Sequence, residues 1–321
     1  MIKLRNAVLS FALCQAAVFA ADQGLLRMLM PDAKVIAGIQ VDSGKTSKFG
    51  QYVLSHMQLD DENFKKFIAD TGFDPRRDVS EIVMGSNWSG DAEARWLVLA
   101  RGVFNSDSIA RAVQANGGTA TSFQGVKLLS SITGPNNQPT SAIAFLNPSE
   151  AAMGDPTSVK AAIQRYQTGT STLTNLGTAK LQDVMAKNDF WFITLVPISE
   201  FAGAMPDANL SQAMQGNLLQ GITQASGGIK FGSNVHISAD VVTRSDKDAG
   251  ALVDVVRFIA GMIQLNRDKS ATASDVSSLV DTMELKTAGN VMSMSLLIPE
   301  AQLEKILDGA KSEAKHTARK Q

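Results

Sequence analysis

The sequence predicts an α+β fold built from two related halves, and three observations carry that reading. Short runs of alternating apolar residues are interspersed with amphipathic helical runs. Neighbouring strands are joined by tight connections such as Gly232-Ser233-Asn234 and Ala288-Gly289-Asn290, which makes the pairing largely antiparallel. The chain also matches itself under a shift of 139 residues, which sets Ala100 on Ala239, Val103 on Val242, Ser106 on Ser245 and Asp107 on Asp246. The same shift sets Ala110 on Ala249, Ala112 on Ala251 and Val113 on Leu252. Each copy reads roughly as β-α-α-β-β-α-β-β. The expected organisation is a leader over 1–20, one half over 21–170, a second over 178–310 and a flexible basic tail over 311–321. The halves meet near the polar stretch Thr168–Gly177.

Val35–Val41 opens the first copy as a strand. Phe49, Tyr52 and Val53 mark one helix, and Phe64, Phe67 and Ile68 mark the next. Asp74-Pro75 turns the chain towards a strand over Glu81–Asn87, followed by another over Arg95–Phe104. Asn105-Ser106 opens a helix with Ile109, Ala112 and Val113 on one face, and Asn116-Gly117 closes it. Strands follow at Val126–Ile132 and Ser141–Asn147. Asp155-Pro156 then caps a helix carrying Val159, Ile163 and Tyr166. The second copy reads as strands Phe190–Leu195, Ile222–Phe231 and Val235–Thr243. A long helix runs from about Asp246 to Asn266, with Leu252, Val255, Val256, Ile259 and Ile263 as its expected buried stripe. Strands Met283–Thr287 and Val291–Ile298 complete it.

Composition bounds the function. The 321 residues are 44% hydrophobic and 19% charged, too apolar for a disordered chain. Lys3 and Arg5 precede an apolar run from Ala7 to Ala20, and Val18-Phe19-Ala20 has the small residues a signal peptidase reads. Cleavage is therefore expected after Ala20, placing the chain in a periplasm or outside the cell. That cut removes the single cysteine, Cys14, and leaves no thiol chemistry and no integral membrane span. The remaining chain is mildly acidic, which argues against nucleic acid as a partner.

Most motifs fail on geometry. Ser43-Gly44-Lys45-Thr46 imitates the end of a phosphate-binding loop, but its upstream glycine, Gly38, is one residue too far away and lies in a strand. A turn with a helix cap at Thr46 or Ser47 is expected instead. His236, Ser238 and Asp240 are the residue types of a hydrolase triad. At i, i+2 and i+4 of one strand they stand side by side about 7 Å apart, beyond the ~3 Å that nucleophile and base require. They read as a polar sheet face opposite Val235, Ile237, Ala239 and Val241. The three histidines, His56, His236 and His316, share no metal-ligand spacing, and Met292 and Met294 alternate as core residues, so no metal or cofactor is expected.

Two features stand as candidate interaction sites: Trp88, in the polar loop Ser86–Asp91, and Arg76 with Arg77, in the corner Gly72–Asp78. For each a structural role competes. Trp88 folds back on the sheet edge, or the arginines are neutralised by Asp74 and Asp78. The segments Lys34–Asp42, Phe49–Leu54, Gly72–Asp78 and Leu97–Phe104, following a signal peptide, resemble secreted bacterial proteins of unknown function. That resemblance implies export and a duplicated α+β build, and brings no catalytic residues. The expected function is an exported, non-catalytic protein that binds a small ligand or a protein partner in the groove between its halves. One alternative is a cell-envelope hydrolase whose distant carboxylates converge to about 5–10 Å. Another is a carrier or holdase for apolar cargo.

Overall fold

The structure, a computed structural model, describes residues 23–56, 62–88, 94–131, 139–170, 178–197, 219–265, 267–269 and 271–308. The expected leader over 1–20, its cleavage at Ala20, the tail over 311–321 and most of the polar stretch between the halves lie outside the described residues.

Helices pack against an antiparallel sheet, so the α+β class holds. The strands are β1 Val35–Gln40, β2 Val79–Ser86, β3 Trp96–Gly102, β4 Thr119–Phe123, β5 Val126–Ser131 and β6 Ser141–Asn147, continuing with β7 Glu150–Gly154, β8 Phe190–Thr194, β9 Ile222–Lys230, β10 Asn234–Thr243, β11 Glu284–Ala288 and β12 Val291–Pro299. They join in the order β11-β12-β10-β9-β8-β1-β2-β3-β7-β6-β5-β4.

That order contains the duplication. Read outward from the centre, β1-β2-β3-β7-β6 matches β8-β9-β10-β12-β11, and the hairpin β4-β5 is an addition at one edge. A helix follows the third strand of each copy, Ser106–Ala115 after β3 and Asp246–Leu265 after β10. The equivalent strands β1 and β8 pair antiparallel, Val35 opposite Thr194 and Ile39 opposite Phe190, and fuse the halves into one sheet. At this seam Trp191, almost wholly buried, lies over Gly38. A β-carbon on Gly38 would sit 2.4 Å from the Trp191 ring, so only glycine fits there.

Period-two alternation then sorts side chains to the two faces. Ile36, Val83, Leu97, Leu99, Trp191 and Ile193 form the larger core with Leu25 and Leu29 and with the helices Pro156–Thr168 and Thr178–Lys187. On the opposite face Ile39, Ile82 and Ala100 meet Phe73 and Phe104, while Val241 and Met292 meet Leu252 and Val253.

Local chemistry sets the boundaries. The Asn105 side chain accepts from the Ser108 amide (3.1 Å) and that of Asp155 from the Ser158 amide (2.8 Å), as their sequence signals predict. Ser47 caps the helix Lys48–His56 by accepting from the Gly50 amide at 2.8 Å. Two strands escaped the sequence pattern. β7 is short and alanine-rich, and β4 lies at the sheet edge with mostly exposed residues, so neither displays a regular core face. One expectation is corrected: in the long helix the buried positions include Ala249, Leu252, Val253 and Ala260, whereas Val255 and Ile259 are exposed. The helix carries two apolar stripes, and only the first meets the sheet.

Candidate functional site

At one end of the seam, three segments leave the sheet side by side. β1 runs into a short helix, Val41–Thr46, and then Lys48–His56; β9 turns at Gly232-Ser233 into β10; β12 passes into a terminal helix over 300–308. The first two helices touch closely, since a β-carbon on Gly50 would lie 2.2 Å from the Gly44 carbonyl oxygen. Lys45 secures this corner by donating to Asp42 (2.8 Å) and to the carbonyls of Arg77 (3.0 Å) and Val79 (2.6 Å). The lysine of the phosphate-loop look-alike is thus a structural clamp.

Between these segments lies a groove of about 810 Å³. Ser43, Thr46, Ser47 and Lys48 wall it from the first half, and Lys230, Phe231, Glu300 and Glu304 from the second. Asp189, buried at its base, accepts from Lys230 Nζ (2.8 Å) and from the Phe231 amide (2.7 Å). The terminal helix is tied across the seam: the Phe49 amide donates to the Glu300 carboxylate, and the Tyr52 hydroxyl donates to Asp308 at 2.5 Å. The Tyr52 pKa is pushed up to about 12, first by desolvation and then by its bond to Asp308 and the charges of Asp308 and Glu304. It therefore stays a donor throughout the neutral range.

Beside the groove is an apolar cavity of about 210 Å³ lined by Ile39, Val41, Val53, Leu54, Val79 and Ile82, among others. Phe231 belongs to both linings, and Arg76 is the charged residue at the cavity. The site pairs a polar, mixed-charge trough with an apolar chamber. That combination suits holding a molecule.

The sequence candidates fall elsewhere or only brush this site. Arg76 is locked onto Asp74 through Nε (3.0 Å) and Nη2 (2.8 Å), and Arg77 onto Asp78 and the Gly72 carbonyl. Asp74 also caps the turn, accepting from the Arg76 amide at 3.0 Å. Trp88 is half-buried with a φ of 41°, and its amide donates to Ser86 Oγ at 3.1 Å; residues 89–93 of its loop lie outside the described residues. The arginines precede the start of β2 and Trp88 follows its end, roughly 25 Å apart at ~3.4 Å per residue, so they cannot share one site.

The arginine corner has a pH signature. Hydrogen bonds from Arg76 and from Arg77 hold the Asp74 and Asp78 carboxyls, respectively, below their ordinary range, against the opposing effect of burial. A depressed carboxylate contributes stability above its unfolded pKa, near 4, and loses it as pH falls through the folded value. A double Arg76→Gln/Arg77→Gln variant should therefore melt roughly 1–3 °C below the parent at pH 7 and together with it near pH 2. A deficit that persists unchanged at pH 2 would refute the charge explanation.

Two further constellations bear on chemistry. Glu81 and Glu150 both face Arg101, Glu81 Oε2 at 3.6 Å from Nε and Glu150 Oε1 at 3.3 Å from Nη2. Gln40 donates to Glu81 and Asn147 to Glu150, each at 2.8 Å. These converging carboxylates share one arginine as counter-ion and do not line the groove. His236, Ser238 and Asp240 remain apart: His236 Nε2 meets Ser295 Oγ at 2.9 Å, and Asp240 accepts from Ser293 (2.6 Å) and Lys180 (2.5 Å).

Comparison with known proteins places the fold and nothing more specific. No family model and no curated protein matches the chain. The fold has a solved counterpart. The structure of crystal form I of TP0453 aligns with a TM-score of 0.50 over 89% of this chain and 97% of its own, at 8% sequence identity. The likeness concerns architecture alone. Among the described residues no helix is long and apolar enough to cross a membrane.

The groove escaped sequence reading because its walls come from four distant stretches, around residues 46, 189, 231 and 300. Ser43–Ser47 was visible as a turn with a helix cap and Gly232–Asn234 as a hairpin connection, neither of them as a wall.

Proposed function

We propose that this chain is an exported, non-catalytic binding protein of the bacterial cell envelope, which holds a ligand or partner segment in the seam groove. The observation that carries the reading is the groove's composite wall: Ser43, Thr46, Ser47 and Lys48 from one half face Lys230–Ser233, Glu300 and Glu304 from the other. Export is supported by the basic end, apolar run and small-residue site preceding Ala21.

The test is native mass spectrometry on residues 21–321 purified gently from an envelope fraction. The parent should carry additional mass. Phe231→Ala, which removes the wall common to groove and cavity, should retain it about 10-fold less, and Lys48→Glu should do the same from the polar side. A bare monomer, or equal retention in all three, overturns the proposal.

A second reading, a carrier for apolar cargo, is favoured by the cavity's apolar lining. N-phenyl-1-naphthylamine should fluoresce on binding, and Val53→Trp, which fills the chamber, should abolish that signal while the fold persists. Unchanged fluorescence in the filled variant rules the carrier out.

A further inference from the structure

The duplication exposes a difference between the halves. In the first, β3, β7 and β6 present Leu97, Leu99, Ala152, Ala142 and Ala144 to one face, and the helix after β7 seals it with Val159, Ala162 and Ile163. The 139-residue shift sets Leu97 on His236 and Leu99 on Ser238, so the same face of the second half is polar. Its β12 adds Ser293 and Ser295, and its β11 adds Glu284 and Lys286, each opposite its neighbour in register. The helix that should seal this face, over 300–308, is tied elsewhere: to Phe49 and Tyr52, and through Lys305 Nζ to Asp275 at 2.9 Å.

What results is a groove of about 420 Å³ between the helix Thr178–Lys187 and the outer strands, a size usual for ligand clefts. Val184 and Met294 are the large apolar residues of its lining. Three acids, Asp183, Asp240 and Glu284, stand among three lysines, Lys180, Lys187 and Lys286. The charges alternate at close range: Lys180 lies 2.5 Å from Asp240, and Lys286 lies 2.7 Å from Glu284.

Elimination gives the ligand class. An apolar molecule would cover the half-buried polar side chains of His236, Ser238, Ser293 and Ser295 without offering them partners to replace water. An anion meets three carboxylates and a cation meets three ammonium groups, so neither sign is favoured. A hydroxyl both donates and accepts, and so matches this alternation at every position. We propose that the groove is a second ligand site, separate from the seam, for a neutral polyhydroxylated molecule such as a short glycan segment. With no Trp, Tyr or Phe in the lining among the described residues to stack on a sugar, affinity is weak, about 1 mM.

The test is a titration of ¹⁵N-labelled protein, residues 21–321, with N-acetylchitotriose and with maltotriose, each to about 20 mM. Saturable shifts are expected at the amides of His236, Ser238, Ser293 and Ser295 with at least one of the two sugars. Asp240→Asn should weaken binding about 10-fold, and Ser295→Ala, a milder change that keeps the Lys180 ion pair, about 3-fold. Phe231→Ala at the seam should leave it unaltered, which separates this site from the first. The proposal falls if neither sugar produces saturable shifts, if the shifts cluster at the seam, or if sodium sulfate reproduces them.

Discussion

Replacing Gly38 by alanine is expected to destabilise the protein by about 3 kcal/mol and lower Tm by roughly 5–10 °C. Two effects oppose each other at this position. Gly→Ala in a strand gains about 0.5–1 kcal/mol by restricting the unfolded chain. Against this, the new methyl would sit 2.4 Å from Trp191 Cζ2 and 2.6 Å from Cε2, far inside contact distance. The ring cannot retreat, because Trp191 is about 1% exposed and packed within the main core. The clash wins. A double-mutant cycle isolates the cause: in a Trp191→Leu background, itself costing about 3 kcal/mol, the Gly38→Ala penalty should fall below about 1 kcal/mol. Equal penalties in both backgrounds, measured by urea unfolding, would show that the steric account is wrong.

Arg101→Met should cost about 3–5 kcal/mol. The guanidinium is the shared counter-ion of Glu81 and Glu150, whose side chains are only 6% and 14% exposed. Gln40 and Asn147 each satisfy one carboxylate oxygen but bring no charge. Methionine fills a similar volume and leaves two negative groups together in a poorly solvated place. The triple variant Arg101→Met/Glu81→Leu/Glu150→Leu removes the whole set and should return to within about 1–2 kcal/mol of the parent. If Arg101→Met alone unfolds at the parent's urea midpoint, the triad contributes nothing and the carboxylates are solvated after all.

The architecture was legible because it rests on local signals. Asn105, Asp155 and Ser47 announced their helices by cap chemistry, and Gly232–Asn234 and Ala288–Asn290 announced their hairpins. The internal match from Ala100 to Val113 reflected a real repetition of strand order. The long helix was misread because Val255 and Ile259 satisfy a helical period as well as Leu252 and Val253 do. Only the sheet decides which stripe is covered. The sites were largely illegible for a related reason. Asp189, Phe231 and Glu300 acquire meaning only when β1 and β8 pair. Arg76 and Trp88 drew attention as unusual residues in polar loops, yet Arg76 is bound into a turn and Trp88 is tied to a strand end.

The seam also dictates how the molecule must be made. The partners that join β1 to β8 lie about 150 residues apart in the chain, and no local contact can substitute for them. Ordering them carries a large loop-closure entropy before any reward, which sets a slow final step. During synthesis from the N-terminus, the first half is complete while the inner edge of β1, with Ile36 and Gly38, has no partner. A strand edge left open for seconds is an invitation to pair with other chains. The interval before β8 arrives is thus the vulnerable period of this protein's life, and Trp191 fluorescence is the natural clock for its end.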